Sequence, residues 1–150
     1  MAKADRINEH ILQELSRDGR ISNLELAERV GLSPSACLRR VQELEREGVI
    51  AGYRAVLDRQ ALGIGFVTYI GVGLGDHSKG AQLAFEQAMA RAPEVVECHN
   101  ITGTIEYLLR VECADLPRYK QFHADILGTA PHVTSITTYV VMDSPKDMRA

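Results

Sequence analysis

Cysteine is scarce and unpaired in this chain of 150 residues: Cys37, Cys98 and Cys113 are odd in number and far apart. That excludes a disulfide framework and a zinc site of the Cys-x-x-Cys kind, and all three are expected as small core residues. Paired metal spacing is equally missing among the histidines at 10, 77, 99, 123 and 132, so no metal and no cofactor is expected. No apolar run approaches the ~20 residues that span a bilayer, and the opening MAKADRINEH has no hydrophobic signal core. A cytoplasmic protein without membrane contact is predicted. Positive charge is short as well: 17 Lys and Arg stand against 20 Asp and Glu, giving a net charge of −3 and an isoelectric point near 5.9. Up to Gly52 the balance is eight basic to nine acidic residues. Bulk electrostatics therefore does not favour nucleic-acid binding, and any such contact depends on local placement.

What remains is an ordinary globular composition, 45% hydrophobic and 25% charged, enough for one domain or two small ones. The N-terminal third reads as three short helices. Ile7, Ile11, Leu12 and Leu15 recur at helical spacing over Arg6 to Arg17, with Asp5 as a cap and Gly19 beyond. Ser22 to Glu25, S-N-L-E, has the form of a capping box opening a second helix whose apolar members are Leu24, Leu26, Ala27 and Val30. Gly31 closes it. Only Leu32 and Ser33 then precede a third helix, Ser33 to Gly48, with Pro34 in its first position. Its expected buried stripe is Cys37, Leu38, Val41 and Leu44, while Ser35, Ala36, Arg39, Glu43 and Arg46 face outward. So short a connection between two helices is what a helix-turn-helix requires.

After Gly48 the pattern changes. Ala51, Tyr53, Ala55 and Leu57 alternate as in a strand, either a wing on the helices or a connector, and Asp58 to Gly65 reads as a hinge. From Phe66 the order is β-α-β-β-α-β. A strand over 66–74 carries Gly71 and Gly73 on one face, where they permit close backbone approach. A helix over 79–92 presents Leu83, Phe85, Ala88 and Met89. Strands over 95–101 and 106–113 flank a turn at Gly103, a helix capped by Asp115 buries Tyr119, Phe122, Ile126 and Leu127, and a last strand runs over 133–142. The fold class is α+β: a (winged) helix-turn-helix over 1–52, a connecting strand and linker over 53–65, and a ferredoxin-like βαββαβ unit over 66–150. In the last unit two helices cover one sheet face. Tyr139, Val140, Val141 and Met142 put apolar groups on both sides of the final strand, so a homodimer or larger assembly is expected to cover the other face.

The chain resembles the Lrp/AsnC, or feast/famine, transcription regulators. The likeness rests on DGRISNLELAERVGLSPSACLRRVQELEREGVIAGY, including Cys37, Arg40, Val41, Leu44, Gly48, Ile50 and Tyr53, and on EVVECHNITGTIEYLLRV and ITTYVVM further on. The resemblance implies double-stranded DNA as one partner, a small effector such as an amino acid as another, and homodimers that in some members assemble into tetramers or octamers. It places the effector near the turn Thr102-Gly103-Thr104-Ile105-Glu106-Tyr107. Many relatives have Gly-Asp-x-Asp-Tyr there. Here Thr104 and Glu106 replace the two acids, so one carboxylate gives way to a neutral hydroxyl.

The DNA-contact candidates are Ser33, Ser35, Ala36, Arg39 and Arg40, because the N-terminal residues of such a helix reach base edges and arginine binds guanine bidentately. Arg40 has a second reading, a pair with Glu43 or with an acid of the second helix. Ser33 serves equally as a cap. The effector candidates are Thr102, Gly103, Thr104, Glu106, Thr134, Ser135 and Thr137, with His99 beside the turn; a turn glycine and edge-strand hydroxyls also have purely structural uses. Two other functions compete with a regulator that is not an enzyme. One is an enzyme similar to siroheme decarboxylases, with His99 or His123 as acid, and the other is an architectural DNA-binding protein without an effector.

Overall fold

The computed structural model describes residues 5–148 and divides the chain into two compact units, Met1–Val56 and Leu57–Ala150. In the first unit three helices form: α1 (Arg6–Arg17), α2 (Asn23–Val30) and α3 (Pro34–Arg46). Each start is fixed by a short polar side chain. Asp5 accepts from Asn8 N, Ser22 from Glu25 N and Ser33 from Ala36 N, each relieving one of the amides that a helix leaves unpaired. The capping box is half made, since the Glu25 carboxylate turns to Arg29 Nη2 at 2.5 Å. Gly31 ends α2 at φ 72°, a left-handed conformation that glycine adopts without cost.

Ile11, Leu26, Ala27, Val30, Cys37 and Leu44 make the core of this unit. Two expected core members are outside it: Leu24 is 69% exposed and Leu38 45%. Both lie roughly 100° round their helices from the buried stripe, one residue position away from facing inward. Residues 51–58 are exposed and take part in no strand, so the alternation of Ala51, Tyr53, Ala55 and Leu57 does not become a β-strand in this chain. A strand needs a neighbour to take its backbone hydrogen bonds, and among the described residues this segment has none.

The second unit is a four-stranded antiparallel sheet of β1 (Phe66–Leu74), β2 (Val95–Asn100), β3 (Tyr107–Cys113) and β4 (Val133–Val140), in the order β2-β3-β1-β4. On one face lie α4 (Lys79–Ala90) and α5 (Leu116–Phe122), the latter running on into a π-turn, His123–Leu127. Ile70, Val72 and Leu74 of β1 and Tyr107, Leu109 and Val111 of β3 face these helices and pack on Phe85, Met89, Phe122 and Leu127. Leu83 is 51% exposed rather than buried. Cys98 is also exposed, because β2 is an edge strand; only Cys37 and Cys113 are core cysteines.

The alternate residues point to the other face. There the register sets Glu97 beside Arg110 and Arg110 beside Tyr69, and then Tyr69 beside Tyr139. Tyr139, Val140 and Met142 are 60%, 51% and 98% exposed. Ahead of β1, residues 58–65 form a compact turn rather than a loose hinge: Leu62 N donates to Asp58 O, Gly63 N to Gln60 O, Ile64 N to Arg59 O and Gly65 N to Ala114 O.

Candidate functional site

The first site is the N-terminal half of α3. Ser33 Oγ accepts from Ala36 N at 3.3 Å and lies 3.4 Å from Ser35 Oγ, so the helix opens on two hydroxyls beside its free amides. Ser35 and Arg39 are exposed, Ala36 is half-buried, and Arg39 forms no hydrogen bond or ion pair among the described residues. Its guanidinium is therefore available to an external acceptor. Arg46 is weakly engaged by Glu43 at 3.2 Å.

Arg40 differs. It pairs neither with Glu43 nor with an acid of α2: its Nη1 donates to Asp5 Oδ2 at 2.5 Å and to Asn8 Oδ1 at 3.0 Å, both at the start of α1. The sequence distance of 35 residues hid this pair. The Arg40 guanidinium holds the Asp5 carboxyl below its usual range. A second unforeseen group is Glu14, only 7% exposed, whose carboxylate binds Arg29 Nη1 at 2.6 Å with Arg17 and His10 nearby. Together these pairs tie α1 to α2 and to α3.

The second site lies where the β2–β3 turn crosses β1. Glu106 N donates to Val72 O at 3.0 Å, and the Glu106 carboxylate accepts from Leu74 N at 2.6 Å through Oε2. Its Oε1 stands 3.3 Å from His77 Nδ1. Ile105 folds over Gly71, where a Cβ would sit 2.6 Å from Ile105 Cδ1. At Gly73 a Cβ would overlap Ser135 Oγ and lie 3.6 Å from Glu106 Oε2. Thr134 Oγ1 donates to Gly73 O at 3.2 Å, and Thr137 is the cross-strand partner of Gly71. The structure thus brings Glu106, Thr134, Ser135 and Thr137 together around the glycines of β1. Thr102, Gly103 and Thr104 stand out from this cradle, exposed, with Gly103 at φ 134°.

Sequence reasoning missed His77 and the Leu74 amide as partners of Glu106. The glycine pair in β1 was the available clue, since it marks where other groups come close to the strand. The two histidines considered as acids do not meet. His99 is on the face away from the helices, 3.1 Å from Glu97, whereas His123 lies in the helical layer with its ring edge toward Tyr119 at 6.0 Å.

Comparison with known proteins shows which family the two units belong to. The winged helix-turn-helix DNA-binding family matches residues 5–51, and the Lrp/AsnC ligand binding domain family matches residues 67–150. The chain belongs to the Lrp/AsnC family. It is 42% identical over 145 residues to the leucine-responsive regulatory proteins of Salmonella typhimurium and Escherichia coli, covering 95% of this chain and 87% of theirs. Among solved structures, a Neisseria meningitidis transcriptional regulator in complex with L-methionine superposes with a TM-score of 0.91 at 34% identity, over 95% of this chain and 92% of that one. An AsnC-family regulator from Agrobacterium tumefaciens gives 0.89 at 29% identity, over 95% and 93%. This Lrp/AsnC protein is accordingly a DNA-binding transcriptional regulator with an effector-binding domain, α+β in class, and its relatives are regulators rather than enzymes. Among the described residues no helix is long and apolar enough to cross a membrane.

Proposed function

We propose that this regulator reads its operator with α3 and senses an amino acid at the cradle around Gly73. The match that runs through both units to a leucine-responsive regulatory protein carries this reading. Arg39 is the base reader, since it alone of the two adjacent arginines is uncommitted; Ser33 and Ser35 lie at the helix start, where amides and hydroxyls meet phosphate, and Ala36 leaves room for a base edge. Arg40 acts first as the clamp between α1 and α3, with any DNA contact secondary.

At the sensor, Glu106 offers a carboxylate to an ammonium group, while Ser135, Thr134 and Thr137 offer hydroxyls to a carboxylate. Thr102, Gly103 and Thr104, exposed in one chain, close the site when a second copy packs beside them. An amino acid with an apolar side chain fits the Ile105 side of the cradle. A homodimer working in the cytoplasm, with domain limits near 52 and 66, completes the reading. Larger tetrameric or octameric assemblies are compatible with it.

Thermal shift against a panel of amino acids, with L-leucine and L-methionine included, is the test. An apolar amino acid should raise the melting temperature of the wild type and not of Glu106→Ala. Stabilisation of both proteins alike would move the effector elsewhere.

A further inference from the structure

On the sheet face away from the helices, β3 sets Leu108, Arg110 and Glu112 in alternate positions, from next to Glu106 of the sensor turn at one end to the connector at the other. At the connector end, Arg59 Nε reaches both oxygens of Glu112, at 3.1 and 2.7 Å. The Glu112 side chain is only 6% exposed. Arg110, equally buried, donates through Nη1 to Tyr69 OH at 3.1 Å and lays its guanidinium over the Tyr69 ring at 5.5 Å. Its Nε, however, is buried without a hydrogen-bond partner among the described residues, and it stands 3.9 Å from Glu112 Oε1. A buried cationic donor without an acceptor is costly, and the nearest acceptor is a carboxylate held by a competing guanidinium.

We propose that Glu112 is a shared carboxylate that passes between Arg59 and Arg110, and that this exchange docks or releases the connector. With Arg59 engaged, the 58–65 turn is fixed to β3 through the ion pair and the Gly65–Ala114 hydrogen bond. When Glu112 turns to Arg110, the unpaired Nε is satisfied and Arg59 is let go, so the turn keeps only its internal hydrogen bonds and the Gly65–Ala114 bond. Each arrangement satisfies the guanidinium that the other leaves, so a modest bias shifts the balance between them. Arg59 is a positioning residue in this scheme: it touches neither DNA candidate nor effector candidate, but it lies on the segment that leads to the DNA-binding unit. Because Glu106 directly precedes the strand that carries Arg110, a ligand that shifts β3 at the turn biases the exchange. The inference rests on the regulator reading above for its purpose, and on the Arg59, Glu112 and Arg110 geometry for its existence.

The experiment compares the full chain with Arg59→Lys and Arg59→Ala, following arginine Nε–H exchange by NMR together with backbone amide exchange over 58–65. Loss of the Arg59 pair should slow exchange at Arg110 Nε–H by about tenfold, as one gained charge-assisted hydrogen bond implies, and speed the amides of Leu62, Ile64 and Gly65 by a similar factor. The lysine variant keeps the charge and guards against loss of the fold. Faster connector amides with Arg110 unchanged would overturn the exchange of partners. In a second arm, affinity for an operator fragment selected from random DNA is measured with and without L-methionine. The wild-type ratio, expected at about 5- to 150-fold, should fall toward one in Arg59→Ala and stay higher in Arg59→Lys, which can still pair with Glu112; an unaltered ratio in Arg59→Ala would overturn the coupling. Wild-type binding indifferent to L-methionine would count against the effector reading alone, since the NMR arm decides the exchange without any effector.

Discussion

Single residues decide how this protein holds its shape, and Glu14 is the clearest case. The Arg29 guanidinium keeps its carboxyl below the ordinary value of 4.5 in the folded state. A group whose pKa falls on folding stabilises the fold fully above its unfolded value and loses that contribution as pH drops through the folded one. The N-terminal unit should therefore weaken as the solution is acidified below about pH 4.5, and Glu14→Gln should flatten that dependence in denaturant titrations run from neutral pH into acid. The sequence could not announce this pair, because Glu14 and Arg29 are 15 positions apart and a glutamate on a helix normally faces water. Gly73 is the opposite case, legible as a glycine in a strand before its neighbours were known. Gly73→Ala should destabilise the second unit by about 1–3 kcal/mol, since Ser135 has to leave its place, and should abolish effector-induced thermal stabilisation. An alanine variant as stable and as responsive as wild type would show that the cradle tolerates filling.

At the scale of elements, helix limits were the most legible feature. The caps Asp5, Ser22, Ser33 and Asp115, read from the sequence, all accept from a backbone amide three residues on, and so does Ser78, which was not read as a cap. Ser33→Ala should accordingly cost about 1 kcal/mol in urea unfolding and loosen the first turn of α3, which carries Ser35 and Ala36. Facing was less legible than length. Leu24, Leu38 and Leu83 belong to helices whose starts were right, though the helix carrying Leu83 ends at Ala90 and not at 92, yet each is turned outward, because the choice between adjacent positions is made by the partner helix or sheet and not by the helix itself. The segment 51–58 and the π-turn illustrate the same boundary of local information. Alternation predicts a strand only when a neighbour exists to pair with it, and the extra residue of a π-turn has no signature in period or composition.

For the whole molecule, the central constraint is charge. With a net charge of −3 overall and about −1 up to Gly52, DNA affinity must come from few, well-placed contacts, which a second copy of α3 at fixed spacing would supply in the homodimer proposed above. Arg39→Ala should then weaken the specific complex more than binding to random DNA, by about 1–3 kcal/mol in the difference. Equal losses on both would reduce Arg39 to a phosphate contact. The half of the account that concerns sensing was visible in the sequence as a turn, a departure at Thr104 and a set of hydroxyls. Only the fold shows that Glu106, Ser135 and Thr134 converge on Gly73 while Thr102, Gly103 and Thr104 face outward. Operator affinity measured against increasing L-leucine and L-methionine, in wild type and in Glu106→Ala, tests the joined account most directly. A change of about 5- to 150-fold in the wild type that disappears in the variant is predicted. An operator affinity that moves equally in both proteins would contradict it.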